Sequence, residues 1–370
     1  MFAPQLLSYD EARTIAKRRL PRMVFEYIDG TAGTGYGESL NLAAIARIRL
    51  QQRVLVDVAQ RDLSVAVFEQ KCLVPFGVSP MAMCNLAAPN TDRWLAKLSA
   101  KYQVPVGVST IASSTLEQYI EWSEGFAWFQ LYFSGDGTQT FKLLDRAKQA
   151  GYQSLVLTLD VPEVARRPRD QRHGFTIPFR MGPKQVLDFA LHPRWSLSQV
   201  VAGIPKMANF LARDFHFDRG ASRAKADWTT LRRIRERWQG KLIVKGITSV
   251  EDALRLASEG VDAIQVSGHG GRQLDALPPP IQQLRAIRDA IGSDYPLFYD
   301  SGIRSGEDVV KAYAMGANFV FLGRSIQYAA AAGAESGLTQ WWKTLSDDVS
   351  ITLALLGKTK LTEMSDCRLL

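Results

Sequence analysis

Paired cysteine spacing is missing from this chain. Its three cysteines, Cys72, Cys84 and Cys367, suggest neither a disulfide framework nor a zinc site, and no other metal centre is suggested. That usage fits a reducing compartment. Long hydrophobic runs are missing too: no stretch approaches the roughly 18 apolar residues a spanning helix needs. The start, Met1 to Leu7, lacks the basic opening and full apolar region of a secretory signal. Low-complexity tracts are absent, and a hydrophobic content of 46% is enough to build a sizeable core. Charge is the one global excess. A net +8 over 370 residues suits nucleic acid, an anionic cofactor, an acidic substrate or a membrane surface. Charge alone does not choose among them.

What is present is a rhythm. Residues 8–30 read as one or two helices, with Ser8 and Asp10 as possible caps and Pro21 as an interruption. Leu50 to Leu63 reads as irregular or short β structure. From about residue 73, short apolar runs alternate with helical patterns: Leu73–Ser79, Val104–Ser109, Ala127–Phe133, Leu155–Asp160, Leu242–Gly246, Ala263–Ser267, Leu297–Asp300 and Phe319–Gly323. Repeated β-then-α order implies a parallel sheet, and eight such units imply a closed (β/α)8 TIM barrel. The expected organisation is a single α/β domain over 1–370, with an N-terminal helical extension (1–72), the barrel (73–370) and a long insertion after strand 4 (161–226). Polar groups sit at the C-terminal ends of many strands, the face where this fold builds its sites. They include Ser109, Gln130, Tyr132, Thr158, Asp160, Lys245, Ser267, His269, Asp300 and Arg324.

The most informative stretch is Ile264 to Asp275, which holds Ser267-Gly-His-Gly-Gly-Arg272. Its glycines let the backbone take positive φ and approach a flat ligand. An imidazole (His269) and a guanidinium (Arg272) follow closely: a base active near neutral pH beside a cation able to grip a carboxylate. Asp160, ending strand 4, can orient the ring and stabilise its protonated form. Asp300-Ser-Gly-Ile-Arg304 follows strand 7 and Gly323-Arg324 follows strand 8, where barrels commonly bind a phosphate. Lys245 can offset negative charge on an electron-accepting ring. With Arg167 as a second cation, the set fits oxidation of a 2-hydroxy acid by a flat, phosphate-bearing oxidant.

The insertion interleaves aromatic and aliphatic groups (Val186, Leu187, Phe189, Leu191, Trp195, Ile204, Phe210, Leu211, Phe215, Phe217) with cations such as Lys184, Lys206, Arg213, Arg219 and Arg223. That composition suits a membrane interface. A lid with its own small core, or a subunit contact, suits it equally.

These motifs, with Trp128-Phe-Gln-Leu-Tyr132, resemble the FMN-dependent 2-hydroxy-acid dehydrogenases and oxidases over nearly the whole chain. The insertion looks most like that of the membrane-associated mandelate dehydrogenases of that family. The resemblance implies FMN as cofactor and an (S)-2-hydroxy acid, mandelate- or lactate-like, as substrate. His269 would be the base, paired with Asp160. Arg167 and Arg272 would hold the carboxylate with Tyr27, and Tyr132 would bond the substrate hydroxyl. Ala82, Ser109, Gln130, Thr158, Lys245 and Ser267 would meet the flavin; Asp300, Gly302, Arg304, Gly323 and Arg324 its phosphate. The α-hydrogen would pass to flavin N5 as hydride, with electrons going on to a quinone-type acceptor; the alternative is an oxidase that uses O2 and releases H2O2. Further implications are a homotetramer, peripheral contact of 177–217 with the cytoplasmic side of the inner membrane, or a cytoplasmic location, and no nucleic-acid partner.

Some positions depart from the family pattern. Gly268 replaces an Asn, and Ile111 replaces the Trp of glycolate oxidases. Ala82 stands where the mandelate enzymes have Gly, a position linked to oxygen reactivity. Gly33-Thr-Gly35 replaces an acidic pair.

Overall fold

Eight short strands close into a parallel barrel: β1 (Phe76–Met81), β2 (Val106–Val108), β3 (Ala127–Tyr132), β4 (Ser154–Thr158), β5 (Lys241–Ile247), β6 (Ala263–Val266), β7 (Leu297–Tyr299) and β8 (Phe319–Leu322), with β8 returning to pair with β1. This computed structural model describes residues 5–175, 182–212, 214–215 and 222–367. Parallel strands covered by helices are buried on both faces, so they read as unbroken apolar runs rather than alternating ones. β4 is buried at every position. Each expected strand is found within a few residues of its expected place. β1 starts later than expected, after Pro75, which has no N–H for the ladder.

The bottom of the barrel is closed by a hairpin, Val65–Val67 paired with Gln70–Cys72. Its tip residue, Phe68, has a positive φ of 53°. The ring packs at 5.9 Å from Trp128 and 5.7 Å from Phe298, joining the aromatic layer that Trp128, Phe298 and Phe321 form inside the barrel. Apolar aromatics at one end leave the other end for chemistry.

Register does the rest. Tyr132 pairs with Thr158, Thr158 with Lys245, and Lys245 with Gln265. Four neighbouring strands thus bring their polar residues into one row at the C-terminal mouth. Beyond Lys245 the β5 ladder shifts at Gly246 (φ +98°), where an added Cβ would lie 2.5 Å from the Asp160 side chain. Only glycine fits there, so Asp160 can lie across the strand end.

The N-terminal helices Tyr9–Arg19 and Arg22–Asp29 pack beside the long C-terminal helix Arg324–Leu355, which is interrupted at Ala334. Ser8 caps the first of them, accepting from Glu11 N at 3.2 Å. Asp29 ties three segments together. Its buried carboxylate accepts from Arg13 (2.6 Å), Arg169 (2.7 Å) and the Tyr328 hydroxyl (2.6 Å). Within the insertion the helices are Pro168–Arg172, Pro183–Ala190 and Pro193–Ala202. Residues 177–181, 213, 216, 217 and 219 of the expected membrane segment and its cations lie outside the described residues. The barrel rhythm resumes at Trp228–Arg237, capped by Asp227.

Candidate active site

The loop after β6 is wound tightly by its glycines. His269, Gly270 and Gly271 have φ of 52°, 63° and 70°, which only glycine adopts freely. The strain at His269 is held by neighbours: its N–H donates to Ser267 Oγ at 3.0 Å, and Ser301 Oγ accepts from the N–H groups of Gly268 (3.0 Å) and Gly270 (3.2 Å). The imidazole Nδ1 lies 3.0 and 3.1 Å from the two Asp160 oxygens. A carboxylate there places the proton on Nδ1 and leaves Nε2 free to accept one. His269 lines a cleft of about 390 Å³ at the barrel mouth, a size typical of small-molecule and cofactor sites.

Lys245 and Asp300 form the floor. The ammonium donates to Ser267 Oγ at 2.6 Å and pairs with Asp300 at 2.9 Å, both groups being buried. Asp300 also accepts from Ser79 (2.9 Å), Gln265 (2.7 Å), Ser267 (2.5 Å) and Ser301 (3.0 Å). Burial works to raise its pKa, but the charge of Lys245 and these hydrogen bonds outweigh it and hold the group below the usual carboxylate range. The expected grouping of Asp300 with a phosphate therefore needs correction. Its carboxylate carries negative charge and faces Lys245, and its N–H already bonds Val266 O. Its place is beneath the lysine, which it orients.

On the other wall stand Arg167, Arg272 and Tyr27. Arg272 donates to the carbonyls of Tyr27 and Gly30, each at 2.7 Å, and lies 5.3 Å over the Tyr27 ring. Arg167 donates to Arg272 O and Gln273 Oε1, each at 3.1 Å. Burial, with the neighbouring Arg167 charge, pulls Arg272 down to about 10. An anion between the two would relieve both effects. Tyr27 stacks on Phe175 at 3.9 Å. Burial and then the charge of Asp160 push the Tyr132 hydroxyl above its ordinary pKa, so it stays a donor at neutral pH.

The third region is cationic. Arg304 and Arg324 both meet Glu38, Arg304 at 3.8 Å and Arg324 by a direct hydrogen bond. Arg324 also donates to the carbonyls of Ile28, Gly30 and Gly270. Gly302 and Gly323 line the same end, and an added Cβ at Gly323 would meet nothing within 4 Å. Ala82 lines the cleft between these regions, as do Ser109 and Ile111. Gln130, Thr158 and Ser267 are buried beneath it.

Two of those buried groups lack partners. The Gln130 side-chain nitrogen and the Thr158 hydroxyl have no hydrogen-bond partner among the described residues. A buried polar group left so is unfavourable by about 1–3 kcal/mol, and two of them at the mouth of one barrel point to a polar, flat ligand above them.

Sequence reasoning missed several groups that matter. Ser301, Ser79, Gln265 and Gln273 brace the site, and Gln273 donates to the carbonyls of Asp160 (3.1 Å) and Glu163 (3.0 Å). Of these, Gln265 carried a signal as a polar residue inside an apolar strand, and Ser79 as the polar end of the first expected strand. Glu38 and Arg223 are contributed from outside the barrel strands and had none. One departure from pattern acquires a cause. At Gly268 an added Cβ would lie 2.7 Å from Pro280, so the proline fills the space that a side chain would need.

A barrel with a buried lysine–aspartate floor, a His–Asp pair and a phosphate-suited cationic end defines a flavoenzyme of the FMN-dependent dehydrogenase family. The chain belongs to that family: its model matches residues 16–369. The (S)-mandelate dehydrogenase of Pseudomonas putida is 36% identical over 367 residues, covering 97% of this chain and 93% of that one. An L-lactate dehydrogenase of Pseudomonas syringae pv. syringae is 34% identical, covering 96% of each. Among solved structures, a monotopic membrane (S)-mandelate dehydrogenase superposes with a TM-score of 0.91 at 35% identity over 98% of both chains. A mandelate oxidase bound to (S)-mandelic acid superposes at 0.85 and 30% identity, covering 99% of this chain and 98% of that one.

The residues present fit FMN. The unpartnered Gln130 and Thr158 atoms suit the polar edge of the ring, Lys245 suits its electron-rich end, and Arg304 and Arg324 suit its phosphate.

Proposed function

We propose that this chain oxidises an (S)-2-hydroxy acid to the 2-oxo acid. The observation that carries the reading is the His269–Asp160 pair, with Nδ1 bonded to the carboxylate, in one cleft with Arg167, Arg272, Tyr27 and Tyr132. The two arginines take the substrate carboxylate bidentately and fix the α-carbon. Tyr27 supports that grip, and Tyr132 donates to the substrate oxygen. His269 Nε2 removes the hydroxyl proton, and Asp160 stabilises the resulting imidazolium. FMN held over Gln130, Thr158 and Lys245, with its phosphate at Arg304 and Arg324, would supply the two-electron acceptor for the α-hydrogen, and a quinone-type carrier would take the electrons on. Lys245 sets a positive charge where the acceptor gains electrons.

The insertion supports attachment at a membrane surface. Leu187, Leu191, Leu197, Val200, Val201, Ile204 and Leu211 are all exposed on it, while no helix among the described residues is long and apolar enough to cross a bilayer. An interfacial segment on the cytoplasmic face accounts for both. A homotetramer and direct reaction with O2 are readings to be tested beside these; Ala82 at the cleft favours the second.

Anaerobic addition of (S)-mandelate and (S)-lactate to the purified flavoprotein tests the reaction. Bleaching of the flavin absorbance by one of them is the expected result. A bound flavin that no 2-hydroxy acid bleaches would sink the reading. Admitting air then separates the acceptors: reoxidation within a turnover time favours O2, and slow reoxidation a quinone.

A further inference from the structure

We infer that the preferred substrate carries a second anionic group on its side chain, and that Arg223 is the residue that reads it. The inference rests on the oxidation proposed above and names the substrate class for that same cleft.

The argument starts from the pairing of charges around the cleft. Lys245 has Asp300 at 2.9 Å, and His269 has Asp160 at 3.0 Å. Arg304 and Arg324 share Glu38. Arg272 has Asp170 at 3.8 Å. Among the described residues this leaves two lining cations with no acidic partner, Arg167 and Arg223. Arg167 donates to neutral oxygens and, beside Arg272, accounts for the α-carboxylate. Arg223 remains.

Arg223 is held in place by its own chain. It comes from the limb that returns from the insertion to the barrel. Its N–H donates to Pro162 O at 3.1 Å, directly after β4. The preceding Ser222 donates to Glu163 at 2.7 Å, so the nearest acid on that contact bonds the serine and not the guanidinium. The guanidinium lies 4.9 Å over the ring of Tyr132, and its Nε is buried with no acceptor. A ring face offsets part of a cation's desolvation, but it satisfies no N–H. A carboxylate arriving on the substrate would satisfy it, with a fork geometry that a neutral side chain lacks. Ile111, Val161, Val164 and Phe175, which also line the cleft, are apolar. That pattern fits a short hydrocarbon linker with an anionic end.

The test is anaerobic stopped-flow reduction of the bound flavin by length-matched (S)-acids: 2-hydroxyglutarate, with a terminal carboxylate, against 2-hydroxyvalerate, without one. The expected second-order rate constant for the diacid is at least tenfold the larger. Arg223→Met should lower that ratio at least thirtyfold, and Arg223→Lys should restore part of it. A ratio near one that Arg223→Met does not move would overturn the inference while leaving the proposed reaction intact. Failure of every acid, with one or two carboxylates, to bleach the flavin would remove the proposed reaction as well. A second measurement needs no variant. The flavin spectrum of the unaltered protein should be perturbed by 2-oxoglutarate at concentrations tenfold below 2-oxovalerate, and equal concentrations would count against Arg223.

Discussion

The loop after β6 and the insertion after β4 both reach the mouth of the barrel, and they are held there in opposite ways. The loop is satisfied from within: Ser267, Ser301 and Asp160 bond its backbone and its imidazole. The insertion is pinned along its inner side, where Asn209 donates to the carbonyls of Ser109 and Thr110. Trp195 donates to Leu86 O at 2.8 Å, Gln199 to Asn85 O at 2.7 Å, and Asp188 accepts from Met23 N at 3.2 Å. Away from that side it turns apolar groups outward. Val201 is 88% exposed and Leu191 70%, while the helix Pro183–Ala190 buries no residue. Chemistry needs fixed geometry, so its loop is over-determined. The insertion leaves apolar area exposed, the pattern of a surface that meets something outside its own chain.

The largest effect should come from breaking the braced side at its centre. His269→Asn removes the proposed base, and flavin reduction by substrate should fall by about 10³-fold while the flavin stays bound. Reduction at an undiminished rate would move the base elsewhere. Next is the junction between the two regions. Asp29 joins the N-terminal helices to Arg169 in the insertion and to Tyr328. Burial alone would raise its pKa, but Arg13, Tyr328 and Arg169 hold it well below the usual range. Asp29→Asn should lower unfolding stability by about 3 kcal/mol at neutral pH, read from denaturant titration. A depressed carboxylate adds stability that is complete above its unfolded pKa of about 3.9 and is lost as pH falls through the folded value. The gap between the two proteins should therefore close in acid, and a gap that widens there would exclude the ion pairs as its source.

How much of this was legible in the sequence follows the same division. The eight strands and their polar ends were readable because buried parallel strands leave runs of apolar residues with an abrupt polar stop. His269, Asp160, Lys245 and Arg272 fall on those stops or just after them. Asp300 falls on one as well, but its orientation is set by Lys245 two strands away, which no local pattern reveals. Ser301, at an unusual φ of 95°, holds the His269 loop across a gap in sequence of some thirty residues. Glu38 and Arg223 enter from the extension and the insertion, where no periodicity constrains which residue faces inward. The hairpin that carries Phe68 was missed because a three-residue strand is too short to show alternation.

A smaller effect tests the unbraced side. Val201→Asp places a charge on the exposed face of Pro193–Ala202. If that face lies in a lipid interface, the loss of one buried aliphatic group weakens binding to anionic vesicles by about 2 kcal/mol, or some thirtyfold. Flavin reduction in detergent should not change, because Val201 does not line the cleft. Vesicle sedimentation reads the first quantity and stopped-flow the second. Equal sedimentation of both proteins would remove the membrane from the account of this face.

The smallest effect lies inside the braced region, where one brace competes with the ligand it serves. Glu38 pairs with both Arg304 and Arg324, the cations suited to the cofactor phosphate. Arg324 does not depend on it for posture, since three backbone carbonyls also hold the guanidinium. Glu38→Gln keeps the shape and removes the charge. Repulsion between a carboxylate and a phosphate that would share the same two arginines in a partly hydrated site is about 1 kcal/mol, so FMN should bind about fivefold tighter. Riboflavin, which lacks the phosphate, should bind as before. The ratio of the two dissociation constants, measured by quenching of flavin fluorescence on the apoprotein, isolates the phosphate end from the ring. Weaker FMN binding in the variant would mean that Glu38 positions the arginines, and that the bracing here works through charge as well as geometry.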